Sequence, residues 1–256
     1  MSVLASLRSE QVLSQLIAEP DPASPSAQKL VDKLKKAGNR AVPKIIDALA
    51  LSDKTHTMVL VDILGALVND KNLHMYREGL ADGNERVVSG TAWALSSSTD
   101  YNANSLLEFF DDEEVSKGAL IEILRVHKQD LSVHELMQRA YDLEPKETAA
   151  LFKIIRETLK PDMVPDLIAR MGGKDPVIKI HLMQLLSKFD KTEITQALEM
   201  QLKDPNKMVR SAALGALGSR GDKVNIEKVA AVLVDPDLDV QSKAVDVLIQ
   251  ANHPDT

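Results

Sequence analysis

Histidines and carboxylates are the residues of this sequence that could bind a metal ion or transfer a proton. The chain has six histidines and no cysteine, which excludes thiolate zinc sites, iron–sulfur clusters, disulfides and cysteine nucleophiles. Only His134-Glu135 places a histidine directly before a glutamate. Because a metal site needs several converging ligands, we expect His134 to be an exposed residue in the first turn of a helix.

A glycine-lysine segment and a basic cluster are the two places where phosphate groups could bind. Gly172-Gly173-Lys174 lacks the Gly-x-x-x-x-Gly-Lys spacing of a phosphate-binding loop, so we interpret it as a helix end. We interpret the cluster as the solvated face of an amphipathic helix around Leu30, Val31 and Leu34. Because the chain has 38 acidic and 31 basic residues, a net charge of −7, we expect no nucleic-acid binding. The cluster consists of Lys29, Lys33, Lys35, Lys36, Arg40 and Lys44.

Length and composition indicate a helical chain with a sizeable core. Of its 256 residues, 44% are hydrophobic, 27% are charged and only 3% are aromatic, which favours helices over an all-β fold. The first residues lack the basic region of a signal peptide, and the most apolar stretch, residues 58–68, contains Asp62. We therefore expect a soluble, cytoplasmic protein that does not insert into a membrane.

An internal repeat organises the predicted helices. Residues 204–222 align with residues 235–253 without a gap, and the same pattern recurs along the chain. With Leu217 as the anchor of the pattern, the equivalent positions are Leu34, Leu67, Leu95, Leu124, Ile155, Leu186 and Leu248. The last four intervals between anchors are 31 residues each, whereas the first three are 33, 28 and 29 residues.

Each period contains two amphipathic helical patterns separated by a turn. The Asp204-Pro205 step suits the start of a second helix, because proline is tolerated in the first turn. One hairpin cannot bury its apolar face alone, so neighbouring hairpins must stack. The sequence predicts an all-α, right-handed α–α superhelix of about eight hairpins. We expect residues 1–256 to form one repeat domain with an irregular first hairpin at 1–38.

Three segments resemble the HEAT-repeat family, in particular its short bacterial form. They are AVPKIIDAL at 41–49, MVPDLIARM at 163–171 and DPNKMVRSAALGALGSRGD at 204–222. The first two are similar to the family's first helix with its Val-Pro step, and the third is similar to its second helix. The resemblance covers nearly all of the chain. It implies a polar ladder in which an Asp before each second helix and a Lys or Arg within it tie successive repeats together.

The ladder implied by this resemblance consists of two pairs and a further lysine. Asp204 is expected to pair with Arg210, Asp111 is expected to pair with Lys117, and Lys179 is expected near Asp175. The ladder is incomplete, because other residue types occupy its positions in several repeats, namely Val88, Thr148 and Gln241. We therefore expect stability to vary along the stack.

The resemblance also limits the function, because such scaffolds mostly bind proteins. Some relatives are enzymes. Deoxyhypusine hydroxylase-like proteins repeat His-Glu pairs to hold two irons, and alkylpurine glycosylase-like proteins have a basic concave face with aromatic residues. This acidic chain has one His-Glu pair and one tryptophan. Nothing in it discriminates for or against a bilin lyase-like protein.

We expect a non-enzymatic protein-binding scaffold with no cofactor and no small-molecule ligand. The main alternative is a regulatory segment of a larger signalling enzyme.

Comparison of the repeats separates core positions from surface positions on the second helices. Three and four residues before the anchor, nearly all residues are apolar, which predicts core. Two residues before the anchor, neither size nor polarity is kept, which predicts an outward row that lines the binding groove. Positions six residues before the anchor are mostly small. The candidate partner-binding residues in the outward row are Trp93, Glu122, Lys153, Gln184 and Asp246.

The last residues predict that the repeats continue. Pro161-Asp162 follows anchor Ile155 and precedes a first helix, and Pro254-Asp255 occupies the same place after anchor Leu248. From this position we expect another first helix beyond residue 256 in a longer protein.

Overall fold

The computed structural model describes residues 2–141, 143–221 and 224–251, with the side chains of residues 2–7 excepted. The regular structure of these residues is entirely helical, as predicted, and none of their helices is long and apolar enough to cross a membrane. Pro254-Asp255 lies outside the described residues. The α-helices are α1 (Ser2–Ile17), α2 (Pro25–Ala37), α3 (Val42–Ala48), α4 (Lys54–Leu67), α5 (Leu73–Leu80), α6 (Glu85–Ser97), α7 (Lys117–Val126), α8 (Val133–Ala140), α9 (Pro145–Thr158), α10 (Val164–Arg170), α11 (Pro176–Leu186), α12 (Thr192–Gln201), α13 (Lys207–Gly218), α14 (Ile226–Ala230) and α15 (Leu238–Ala251).

Short 3-10 helices complete the pattern of hairpins. One of them, Ala103–Asp111, replaces the first α-helix of the fourth hairpin and buries Leu106, Leu107 and Phe110. With it, the described residues form eight helical hairpins, the number that the sequence predicts. The remaining 3-10 helices are Gly38–Arg40, Lys128–Asp130, Pro161–Met163 and Ala231–Val234.

The hairpins belong to two compact units, Met1–Thr158 with five hairpins and Leu159–Thr256 with three. Within the first unit, second helices pack on one another in the order α4, α6, α7 and α9. Within the second unit, α11 packs on α13, and α13 packs on α15. Within each unit, a second helix therefore has one face on its own first helix and one edge on a neighbouring second helix, which leaves a row of side chains exposed.

Polar side chains determine where most second helices begin. Ser24, Asp53, Asn84, Asp175 and Asn206 each accept a hydrogen bond from a backbone N–H group in the first turn. Such N-caps satisfy donors that have no partner inside the helix.

The structure corrects one anchor of the repeat. Leu67 is half-buried, whereas Leu64 is fully buried. Leu64 lies 11 residues after the N-cap Asp53, and Leu95 lies 11 residues after the N-cap Asn84. Leu64 is therefore the equivalent position, and the prediction of Leu67 was wrong. With Leu64 as the anchor, the intervals at this point of the chain become 30 and 31 residues, so the period is nearly constant here as well.

Hydrogen bonds from the next hairpin support the same correction. The hydroxyl group of Tyr76 donates to the carbonyl oxygen of Leu64 at 2.7 Å. In the following repeat, the hydroxyl group of Tyr101 donates to the carbonyl oxygen of Leu95 at 2.9 Å, and His127 Nε2 lies 3.0 Å from the same oxygen. The anchor carbonyls of Leu64 and Leu95, near the ends of their helices, thus receive buried donors from residues that follow in the chain.

The predicted core row is largely buried. Among its residues, Leu120, Ile121, Leu151, Leu182, Met183, Ala213 and Leu214 have at most 4% of their surface exposed. Val245 is an exception with 44% exposed, because α13, α14 and the 3-10 helix that pack on α15 leave this side chain uncovered.

Candidate protein-binding surface

The five candidate side chains of the outward row are all exposed. They lie on five different second helices, α6, α7, α9, α11 and α15. The anchor and the core row face the helices packed beneath them, so a side chain two residues before the anchor points away from that core. This placement agrees with the predicted direction of the row, and binding by these residues stays a prediction.

In the first unit, a groove of about 400 Å³ lies between α4 and α6. Trp93 and Met58 form its apolar part, and 49% of the surface of each side chain is exposed. Gly90 permits the close packing of this region, because a Cβ atom there would lie 2.8 Å from a methyl group of Leu49. The lining residues are Ser52, Asp53, Lys54, Thr57, Met58, Arg86, Ser89, Gly90 and Trp93.

The charged residues of this groove differ in whether their side chains already form hydrogen bonds within the chain. Asp53 Oδ1 caps α4 by accepting from the N–H groups of Thr55 and His56, and Asp53 Oδ2 lies 2.9 Å from His56 Nδ1. These bonds hold the pKa of Asp53 below its ordinary value, led by the N–H group of His56. Lys54 and Arg86 are exposed, so the groove presents two cations beside its apolar part.

In the second unit, a groove of about 430 Å³ lies along α11 and α13. Gln184 lines it, together with Ser211, which lies six residues before the anchor Leu217, and Gly215, which lies two residues before that anchor. Lys243 of α15 extends into the groove, with its ammonium group 3.4 Å from Ser211 Oγ. The outward row thus contributes Trp93 and Gln184 to two grooves, whereas Glu122, Lys153 and Asp246 line neither of them.

The polar ladder exists in the second unit with different partners from those expected. Lys179 Nζ lies 2.6 Å from Asp204 Oδ2, and Arg210 forms two hydrogen bonds with Asp235 at 2.7 and 2.8 Å. Asp204 is not paired with Arg210 through its carboxylate, because Asp204 Oδ1 accepts from the N–H group of Asn206 and Oδ2 faces α11. Each ladder carboxylate therefore pairs with the cation of the preceding hairpin.

These pairs are buried and electrostatically strong. The side chains of Arg210 and Asp235 are 10% and 6% exposed. The Arg210 guanidinium group holds the pKa of Asp235 below its ordinary value. Burial alone would raise the pKa of Asp204, but hydrogen bonds from Lys179 and the Asn206 N–H group lower it. The ladder thus connects α11, α13 and the loop before α15 through ionised side chains.

The expected pair of Asp111 with Lys117 does not form. Asp111 pairs with Arg139 of α8, and Lys117 Nζ donates to the backbone carbonyl oxygen of Asp112. The reason is local, because Ser116 caps α7 and Lys117 is its first residue. The cations of the ladder instead lie four residues after their N-caps, and Leu120 occupies that position in α7.

The histidines and carboxylates of the described chain do not converge. No group of three or more of them that could hold a metal ion occurs in residues 2–141, 143–221 and 224–251. His134 is exposed, and its Nε2 atom lies 3.3 Å from Gln138 Nε2 on the next turn of α8.

Two groove residues were not identified from the sequence. Met58 lies six residues before the corrected anchor Leu64, in the row that is otherwise mostly small, so the correct anchor would have shown it. Lys243 lies five residues before its anchor Leu248, between the mostly small row and the core row. No sequence signal places its ammonium group near Ser211.

Comparison with known proteins identifies the repeat. Residues 135–255 match the family model of HEAT repeats, and no curated protein matches the chain. Human deoxyhypusine hydroxylase in complex with glycerol is 18% identical with a TM-score of 0.38, over 98% of both chains. A designed armadillo repeat protein is 16% identical with a TM-score of 0.34, over 95% of this chain and 99% of its own. Another, in complex with the peptide (KR)4, is 15% identical with a TM-score of 0.24 over the same shares. TM-scores this low establish no shared site or activity. Residues 135–255 are therefore identified as HEAT repeats.

Proposed function

We propose that this chain is a non-enzymatic, cytoplasmic scaffold that binds a helix, loop or peptide of a partner protein, or of another domain of the same chain, on its second helices. The observation that carries the proposal is the half-exposed Trp93 at the groove between α4 and α6. Tryptophan is enriched among the residues that dominate binding energy at protein interfaces.

The composition of the groove supports a protein partner. Trp93 and Met58 provide apolar surface, and Lys54, Arg86 and Ser89 provide polar groups around it. Protein interfaces commonly combine an aromatic and methionine-containing centre with a polar rim. Methionine can also adapt its shape to different apolar side chains.

Replacement of Trp93 with alanine is expected to weaken partner binding at least about tenfold, because it removes the largest apolar contact of the groove. Stability should change little, since half of the side chain is already exposed. The matched control is Val126→Ala, which truncates an apolar side chain that is 60% exposed and lies outside this groove. Partners recovered with the wild-type chain should be lost with Trp93→Ala and retained with Val126→Ala. Equal recovery by all three proteins would contradict the proposal.

The fluorescence of Trp93 provides a direct measurement with each purified partner. Trp93 is the only tryptophan of the chain, so the emission of a tryptophan-free partner does not overlap with it. Burial of the indole ring on binding should shift its emission to shorter wavelength. A bound partner that leaves the emission unchanged would place the binding surface elsewhere.

The non-enzymatic part of the proposal is tested by metal analysis. We expect the purified protein to bind no stoichiometric iron or zinc when either metal is supplied, because its one His-Glu pair, His134-Glu135, lies on an exposed helix face. Elemental analysis after incubation with metal and desalting measures this directly. One or two retained irons per chain would contradict the proposal and favour an enzyme.

A further inference from the structure

The first hairpin, the 3-10 helix that follows it and α3 carry a concentration of unpaired cations. Among the residues that the structure describes, none of these seven side chains has a carboxylate within ion-pair distance, although many other basic residues of the chain do have one. Asp32, the acidic residue of α2, accepts a hydrogen bond from Gln28. The cations are Arg8, Lys29, Lys33, Lys35, Lys36, Arg40 and Lys44. We name them the basic cluster.

A groove of about 300 Å³ between α1 and α2 lies within this cluster. Val12 and Ala37 form its partly exposed apolar floor above the buried Leu34, and its cations are Arg8, Lys33 and Arg40. Lys29, Lys33 and Lys36 follow one another at helical spacing on one exposed face of α2, over about 10 Å. Positive charge and apolar surface therefore occur together at one site.

We propose that this groove binds an acidic segment of a partner protein, in which an aliphatic side chain lies between aspartate or glutamate residues. The aliphatic side chain would cover the floor, and the carboxylates would pair with the cations around it. Charge complementarity favours this occupant, because the cations have no partners within the described chain. The overall charge of −7 does not cancel the local attraction, since interactions between exposed charges more than about 8 Å apart are largely screened at physiological salt.

The apolar floor distinguishes a peptide from a nucleic acid. Phosphate backbones pair with cations but place no aliphatic group between them, and single-stranded bases stack on aromatic side chains. The six floor and cation residues named for this groove include no aromatic residue. This site rests on the proposed scaffold function, but it is separate from the groove of Trp93.

The test uses fluorescein-labelled peptides with Gly-Ser flanks and the full chain. The centre of the probe is Glu-Glu-Leu-Glu-Glu, and the comparison centres are Gln-Gln-Leu-Gln-Gln and Glu-Glu-Ser-Glu-Glu. We expect the acidic probe to bind, the glutamine probe to bind at least about tenfold more weakly, and affinity to fall as salt increases. The serine probe should also bind more weakly, because it cannot cover the apolar floor.

Matched charge variants locate the site. The triple substitution Lys29→Glu, Lys33→Glu and Lys36→Glu should abolish binding of the acidic probe. Lys71→Glu, Lys160→Glu and Lys203→Glu, also exposed, change the net charge equally and should leave binding within about twofold. Circular dichroism verifies folding, and a milder triple substitution of the same three lysines to glutamine should weaken binding if the first variant does not fold.

Several results would overturn this inference. One is that the acidic probe does not bind up to millimolar concentration. Another is that both triple variants weaken its binding equally. A third is that single-stranded DNA or phosphatidylserine vesicles bind more tightly than the acidic probe. Trp93→Ala should leave affinity for the acidic probe unchanged. Failure at the basic cluster and failure at the Trp93 groove are therefore measured independently.

Discussion

Replacement of Leu214 with alanine is expected to lower the free energy of unfolding by about 2–5 kcal/mol. Leu214 is fully buried in α13, in the row that packs beneath the second helices of the second unit. Truncation removes buried methyl groups and leaves a cavity, because the surrounding side chains of α11 and α15 relax only in part. Urea denaturation followed by circular dichroism measures the change.

Outward-row residues provide the matched controls for this prediction. Gln184→Ala on the neighbouring helix α11 and Lys153→Ala on α9 should each change the free energy of unfolding by less than about 0.5 kcal/mol, because both side chains are exposed. If Lys153→Ala destabilised the protein as much as Leu214→Ala, the division into core and outward rows would be wrong.

Replacement of Arg210 with methionine is expected to destabilise the second unit by about 3 kcal/mol. The substitution keeps the apolar stem but leaves the Asp235 carboxylate, which is 6% exposed, without its bidentate partner. It also removes the donors to the carbonyl oxygens of Asp204 and Pro205. An unpaired buried charge is costly, because the protein does not replace the water that it has lost.

Lys207→Met is the control for Arg210→Met on the same helix. Lys207 pairs with Asp237 at 2.8 Å, but 57% of the lysine side chain is exposed. Exposed pairs contribute little to stability because water and salt screen them, so this variant should retain most of the stability of the wild-type protein. Equal destabilisation by the two variants would show that burial does not decide the contribution of the ladder.

The pH dependence of stability should show the contribution of Asp235, the ladder carboxylate that pairs with Arg210. Hydrogen bonds from Arg210 hold the pKa of Asp235 in the folded protein below its ordinary value of about 4. A depressed folded pKa stabilises the protein at pH values above the unfolded pKa, and this stabilisation is lost as the pH falls through the folded pKa. Without the guanidinium group, burial raises the pKa of Asp235 in the variant. The difference in unfolding free energy between wild-type protein and Arg210→Met should therefore be constant at neutral pH and shrink as the pH falls from the Asp235 pKa of the variant towards the lower one of the wild-type protein.

The sequence by itself determined the repeat, the helical class and the direction of most second-helix side chains. Two periodicities act together here, because apolar positions recur within each helix at helical spacing and helices recur about every 31 residues. Leu217 and Leu214 must then be buried, and Trp93 must point outward, in any stack of such hairpins. The burial of the first two and the half-exposure of Trp93 agree with this reasoning.

Only the tertiary structure decided the anchor in α4, the partners of the ladder and the positions of the grooves. Residues 58–68 are almost continuously apolar, so their pattern fits Leu67 as well as Leu64, and the hydrogen bond from Tyr76 of the next hairpin distinguishes them. The pairing of Arg210 with Asp235 depends on how a loop places a carboxylate beside the preceding hairpin. These two contacts join residues that are 12 and 25 positions apart, and side-chain periodicity within one helix contains no information about contacts between helices.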